Sequence, residues 1–221
     1  MIDTLLSYIA PHLCCGCGKI GALLCDDCKY NINNDASVLC IACGIGASDT
    51  GICKTCDVAY TRAWCVGERS GVLQRLIGDY KFQNMYAAYR PLALLLIEHI
   101  DQLPSTTVVV PIPTVASHVR ERGYDHTLLL AKQVAKHRDI RLRQVITRTN
   151  SSRQRGASGV QRVAQAKVAF KVTGKINPAV PYLLIDDVVT TGATIKYAAE
   201  ALRAAGATQI WVAVIARQLL D

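Results

Sequence analysis

The sequence predicts an α/β protein, a mostly parallel sheet flanked by helices, with a small cysteine-rich domain in front of it. Three observations predict this. Nine of the ten cysteines precede residue 57, and eight of them form Cys-x-x-Cys pairs. Beyond that region, short β-branched runs alternate with segments of helical period. Finally, "YLLI" at 182–185 runs straight into two adjacent aspartates and then Thr-Thr-Gly-Ala-Thr. The expected division is a cysteine-rich domain at residues 1–62 and an α/β domain at 63–221.

The totals fit that division. A chain of 221 residues can hold one sizeable core and a small appendage. With 51% hydrophobic and 19% charged residues, it has the composition of a folded soluble protein. No apolar run approaches the roughly 20 residues of a membrane helix. The start, "MIDTLLSYIAPHLCC", lacks the basic residues of a secretory signal, so a cytoplasmic location is expected. The net charge of +8 is uneven: residues 1–60 hold three Lys against six Asp, and the remainder 22 basic against 11 acidic residues. Its densest run, Arg138 to Arg155, has six Arg and one Asp. That run reads as a solvated loop, or as a site for the phosphates of a small ligand or of a nucleic-acid backbone.

The cysteine pairs come first in the chain: Cys14/Cys17, Cys25/Cys28, Cys40/Cys43 and Cys53/Cys56. Two such pairs supply the four thiolates of a tetrahedral Zn²⁺ site. In a cytoplasmic chain disulfides are disfavoured, so one or two structural zinc ions are expected. Gly18 and Gly44 follow second cysteines, where a knuckle turn needs a positive φ. Sequential pairing closes the shortest loops; an interleaved cross-brace is the alternative. Cys15 and Cys65 read as packing residues. With few large apolar residues, this segment is expected to depend on metal to fold.

Helical periodicity is expected from about Arg62–Val66 through "GVLQRLIGDYKFQNMYAAYRPLALLLIEHI", with Pro91 as a helix start. "TTVVVPIP" reads as a buried strand and loop, and "DHTLLLAKQVAKH" as a helix capped by Asp125 or Thr127. "RQVITRT" and "VAFKV" are strands on either side of a polar stretch. Then come the strand "PYLLIDD", the helix "GATIKYAAEALRAAG" stopped at Gly206, and the strand "QIWVAVIAR". In such folds ligands collect at the carboxyl ends of strands.

"LLIDDVVTTGAT" sits at such an end. A tight loop entering a helix presents backbone N–H groups and the positive end of the helix dipole to an anion. Thr190, Thr191 and Thr194 add hydroxyls, and Gly192 allows close backbone approach. Asp186 and Asp187 would repel that anion, so they suit a pair of hydroxyls or a magnesium-bound group beside it. A phosphorylated sugar offers both ends.

"YLLIDDVVTTGATI" resembles the 5-phosphoribosyl-1-diphosphate (PRPP) signature of type I phosphoribosyltransferases, and the whole chain resembles the ComF family. The resemblance rests also on the four CxxC pairs, "DYKF", "VVVPIPTVASHVRERGYDHT" and "RTNSSRQ". It implies a type I phosphoribosyltransferase fold behind a double zinc ribbon, with Mg²⁺ accompanying PRPP. By the resemblance, Asp186 and Asp187 hold the ribose 2′- and 3′-hydroxyls, directly or through Mg²⁺, and are the catalytic pair. Val188, Val189, Thr190, Thr191, Gly192, Ala193 and Thr194 form the substrate loop, with Thr190 to Thr194 around the 5′-phosphate. Ile112 to Arg122 is the pyrophosphate loop, with Pro113, Arg120 and Arg122 at the ligand. Arg148–Arg162 is the segment that closes over the diphosphate, with Arg153 and Arg155 contributing. "RERGYDH" stands where the family has a "RERGFNQ"-like string, so Asp125 and His126 replace amides. Purine salvage enzymes of this class often carry a carboxylate three residues beyond the second acid; here that residue is Thr190. The function implied is PRPP binding or transfer to an unspecified acceptor during DNA uptake in natural transformation. Single-stranded DNA or uptake-machinery proteins would be the partners. The alternatives are a nucleotide-salvage phosphoribosyltransferase and a non-catalytic PRPP-sensing adaptor.

Overall fold

The computed structural model describes residues 11–34, 39–149 and 170–219. Among the described residues seven strands run in chain order as β1 (Arg62–Glu68), β2 (Val108–Pro111), β3 (Arg141–Leu142), β4 (Ile146–Arg148), β5 (Phe170–Val172), β6 (Tyr182–Val189) and β7 (Ile210–Arg217). Five of them form one sheet in the order β1-β7-β6-β2-β3, and every pairing in it is parallel. The helices are α1 (Asp26–Asn34), α2 (Gly71–Phe82), α3 (Tyr89–His99), α4 (Ala116–Arg122), α5 (His126–His137) and α6 (Ala193–Ala204).

Parallel strands are covered on both faces, and β6 shows it: Tyr182 to Ile185 are all buried. On one face Leu183 and Ile185 join Leu76, Ile77, Leu92, Leu96 and Leu130 from α2, α3 and α5. On the other, Tyr182 and Leu184 join Ile195, Ala198 and Leu202 from α6, with Ile146 and Phe170 from the small strands. The cysteine-rich segment feeds both cores, Leu23 and Ile32 entering the first and Ile41 and Tyr60 the second.

Several expectations are corrected in detail. The segment from Arg62 is not helical: it is β1, the edge strand beside β7. Its burial alternates too weakly to announce a strand, and its partner lies at the far end of the chain. The long helical stretch after it breaks at Asn84, which has a positive φ of 51°. A 3₁₀ turn, Tyr86–Ala88, then leads into α3, where Pro91 occupies the first turn rather than the first position. "RQVITRT" and "VAFKV" do form strands, β4 and β5, but as an antiparallel pair apart from the main sheet. Asp125 is the cap of α5, its carboxylate accepting from Leu128 N at 3.0 Å.

The sheet order places the site. From β2 the chain moves outward to β3, and from β6 it moves the other way to β7. The loops leaving β2 and β6 therefore separate above the sheet and open a crevice at the switch point.

Candidate functional site

Adjacent residues on a strand point to opposite faces, and this divides the two aspartates. Asp186 faces a cavity that it lines together with Val188 to Ile195. Thr190 and Thr191 are exposed at its mouth, and Gly192 adopts a φ of 74°, a left-handed conformation that glycine takes without strain. Helix α6 starts there, with Lys196 N donating to the Gly192 carbonyl at 2.9 Å. Its first N–H groups have no partner within the helix and lie at the loop. The sequence-predicted residues 188–194 are thus brought together with Asp186 around one small cavity.

Asp187 turns the other way and is 4% exposed. Lys81 Nζ, from the last turn of α2, lies 2.7 Å from its Oδ2, and His126 Nε2, at the start of α5, lies 2.8 Å from the same atom. Oδ1 accepts from Val188 N at 2.6 Å. His126 Nδ1 in turn accepts from Arg122 Nη1 at 2.9 Å, so Nε2 carries the hydrogen that faces Asp187. Arg122 is held further by a bond from Nε to the Lys81 carbonyl at 2.7 Å and lies over the Phe82 ring. Arg122 therefore belongs to the cluster behind Asp187. Arg120 is exposed on α4. Pro113 is half-buried and its carbonyl accepts from Arg148 Nε at 3.2 Å. Arg153 and Arg155 lie outside the described residues. Sequence reasoning assigned no role to Lys81, and read His126 only as replacing an amide in the "RERGYDH" string.

The environments push the two carboxyls apart. Burial and the neighbouring charge of Asp187 raise Asp186 to about 7, against relief from the Asp187 N–H, Lys81 and Arg148. For Asp187 burial also works upward, but the Lys81 ammonium and the His126 hydrogen bond outweigh it and hold the carboxyl well below the ordinary range. One member of the pair is fixed as an anion; the other is poised near neutrality. A raised acid favours the folded state while protonated, so its contribution is full below about pH 4 and is lost as pH rises through about 7. Asp186→Asn is expected to match the wild type in urea unfolding at pH 4. At pH 8 it should be more stable by about 1–3 kcal/mol.

The cysteines form two groups, Cys14, Cys17, Cys25, Cys28 and Cys40, Cys43, Cys53, Cys56, with all Sγ atoms of a group within 4.8 Å of one another. The pairing is sequential, and the cross-brace is not formed. Cys17 and Cys25 approach to 3.6 Å, as do Cys43 and Cys53. A tetrahedral ion with Zn–S of about 2.3 Å needs sulfurs about 3.8 Å apart, so both donor sets fit zinc. The two knuckles are alike: Gly18 N donates to Cys14 O and Gly44 N to Cys40 O, each at 2.8 Å, with φ of 76° and 82° at the two glycines.

A parallel sheet with an acid pair and a Thr-Gly loop at its switch point has the outline of a phosphoribosyltransferase domain, and the profile of the phosphoribosyl transferase domain matches residues 125–219. The chain is 30% identical over 209 residues to competence protein F of Haemophilus influenzae, covering 88% of this chain and 90% of that protein. It is 25% identical to competence protein ComFC of Bacillus subtilis, over 81% of this chain and 77% of that one. With the DNA utilization protein YhgH of Escherichia coli K12 it shares 28% identity, over 91% and 96% of the two chains. The chain belongs to the ComF family. Among the described residues no helix is long and apolar enough to cross a membrane.

Proposed function

We propose that this protein binds PRPP with Mg²⁺ in the crevice above β2 and β6 and transfers its phosphoribosyl group to a nitrogen acceptor. The observation that carries the reading is the single cavity shared by Asp186 and residues 188–194, a hydroxyl acceptor beside an anion loop. In this reading the Thr190–Thr194 loop and the start of α6 hold the 5′-phosphate. Asp186 accepts from the ribose hydroxyls, and Asp187, fixed as an anion behind it, adds negative charge as C1′ becomes cationic. Mg²⁺, arriving with the diphosphate, would supply charge for the leaving group. Arg148 stands at Pro113 on the same side; burial lowers its pKa, and the nearby Asp186 carboxyl acts in the opposite direction. Arg153 and Arg155 join it on sequence grounds.

The names of the relatives bring DNA into the proposal: the acceptor or partner is incoming single-stranded DNA or a protein that handles it, in the cytoplasm. In this reading residues 1–62 are the zinc platform and residues 63–221 the ligand-binding part.

Calorimetric titration with PRPP and Mg²⁺ tests the central claim. The wild type should bind, and Asp186→Ala should bind about 10–100-fold more weakly, the cost of losing hydrogen bonds to a charged acceptor. A wild type that shows no heat of binding would sink the reading. Affinity should rise with pH up to about 7 as Asp186 ionises, and this part of the pH dependence should vanish in Asp186→Asn. Diphosphate release against nitrogen acceptors, single-stranded DNA included, tests transfer; no release from any acceptor would leave a PRPP-sensing adaptor.

A further inference from the structure

The second cysteine group is built against the phosphate loop. Ile41, between Cys40 and Cys43, is 1% exposed and packs in the same core as Val189 and Ile195, which bracket that loop. The Ala42 backbone lies opposite Gly192: a Cβ on Gly192 would meet Ala42 O at 3.5 Å and Ala42 Cα at 3.6 Å. Arg217 closes the arrangement. It ends β7 in register with Val189, the last residue before the loop, and its Nη1 donates to the Ile41 carbonyl. On the knuckle side a Cβ at Gly44 would stand 2.9 Å from Arg217 Nε, so the guanidinium fills the space that a side chain there would take.

Arg217 is unusual in its own right. It is 4% exposed, its Nε has no hydrogen-bond partner, and no carboxylate pairs with it among the described residues. A buried guanidinium without a counter-charge is costly. The group beside its knuckle is the four-cysteine set, which carries a formal charge of −2 when four thiolates hold Zn²⁺. The first cysteine group sits elsewhere, against Val72 and Arg75 of α2, with Lys29 of α1 paired to Glu98 of α3.

We propose that Arg217 and the Cys40–Gly44 knuckle are a brace that holds residues 189–192 in their anion-binding shape. Metal in the second cysteine group, and not in the first, then governs grip on the ligand's phosphate end. The brace holds one side of the loop through Gly192 and the other through Val189, while the negative metal–thiolate group anchors Arg217. The identity of the ligand rests on the function proposed above; the brace itself does not.

The test uses the full-length chain with Cys43→Ser/Cys53→Ser, Cys17→Ser/Cys25→Ser, Arg217→Gln and Arg217→Lys. Zinc content, amide hydrogen exchange at residues 188–195 without ligand, and calorimetry with PRPP and Mg²⁺ are read for each. The second-group variant and Arg217→Gln should exchange about tenfold faster at the loop and bind PRPP about tenfold more weakly, with partial recovery in Arg217→Lys. The first-group variant should leave loop exchange at the wild-type rate. Loss of one zinc from the second group with unchanged loop exchange overturns the proposal, as does equal loosening by both double variants. Should the second-group variant fail to fold, the two Arg217 variants decide the matter through the same exchange rates. A wild type that ignores PRPP would count against the ligand, while the exchange rates would still judge the brace.

Discussion

Replacing Lys81 by Met is expected to destabilise the protein by about 3–5 kcal/mol at pH 7, the usual cost of removing one partner from a buried ion pair. Lys81 and Asp187 are 16% and 5% exposed at the side chain, so solvent screens little of their interaction. The substitution leaves Asp187 with His126 and one N–H, in a site where burial alone pushes a carboxyl upward. The sign of the pH dependence follows from the depressed pKa. Stability from this group is present above the ordinary carboxylate range and is lost as pH falls through its lowered folded value. The gap between wild type and Lys81→Met should therefore be largest near neutral pH and narrow below about pH 4. Urea unfolding at pH 7, pH 4 and about pH 2.5 measures it. A cost below about 1 kcal/mol at pH 7 would mean that the pair stabilises little. Asp187→Asn combined with Lys81→Met closes a double-mutant cycle and separates the pair from either residue's packing.

Lys81 also shows how much of the site could be read from the chain. It continues the buried stripe of α2, Leu73, Ile77, Lys81, at steps of four. His126 opens the matching stripe of α5, His126, Leu130, Val134. A cation and an imidazole at the ends of two apolar stripes signal a buried anion. That anion is Asp187, which "LLIDD" displays, but only folding shows which of the two acids it is. The parallel sheet was legible because β6 and β7 are nearly continuous apolar runs with a helix between them. The edge strand β1 was not, since its register is set by β7 at the other end of the chain, Arg62 with Trp211. The contact of Arg217 with Ile41 had no local signal at all. A terminal arginine on a strand reads as a solvated end until the knuckle that covers it is in place. For the cysteines, loop entropy favoured sequential pairing, and the structure adopts it.

Stripping the metal from both cysteine groups should cost more than any of the single substitutions. Residues 11–60 contain one described helix of nine residues, too short to persist in water without support. Two sets of thiolates placed to hold zinc would supply that support, and apparent binding energies for structural zinc run to about 10–16 kcal/mol. Its anchors Leu23, Ile32, Ile41 and Tyr60 are each buried in a core shared with the parallel sheet. Releasing four such side chains forfeits about 6–12 kcal/mol as an upper estimate. That is comparable with the whole stability of an ordinary domain, about 5–15 kcal/mol. A chelator is therefore expected to lower the melting temperature by about 10–25 °C, and metal analysis of the untreated protein should find zinc in both groups. The effect should exceed that of unfolding an appendage, because the sheet loses wall residues on both of its faces. If the metal-free chain instead melts within about 3 °C of the loaded one, the anchors contribute little to the main cores. Residues 1–62 would then be a detachable platform. The burial of Leu23 in the core shared with α2, α3 and α5, and of Ile41 in the core shared with α6, argues for the larger shift.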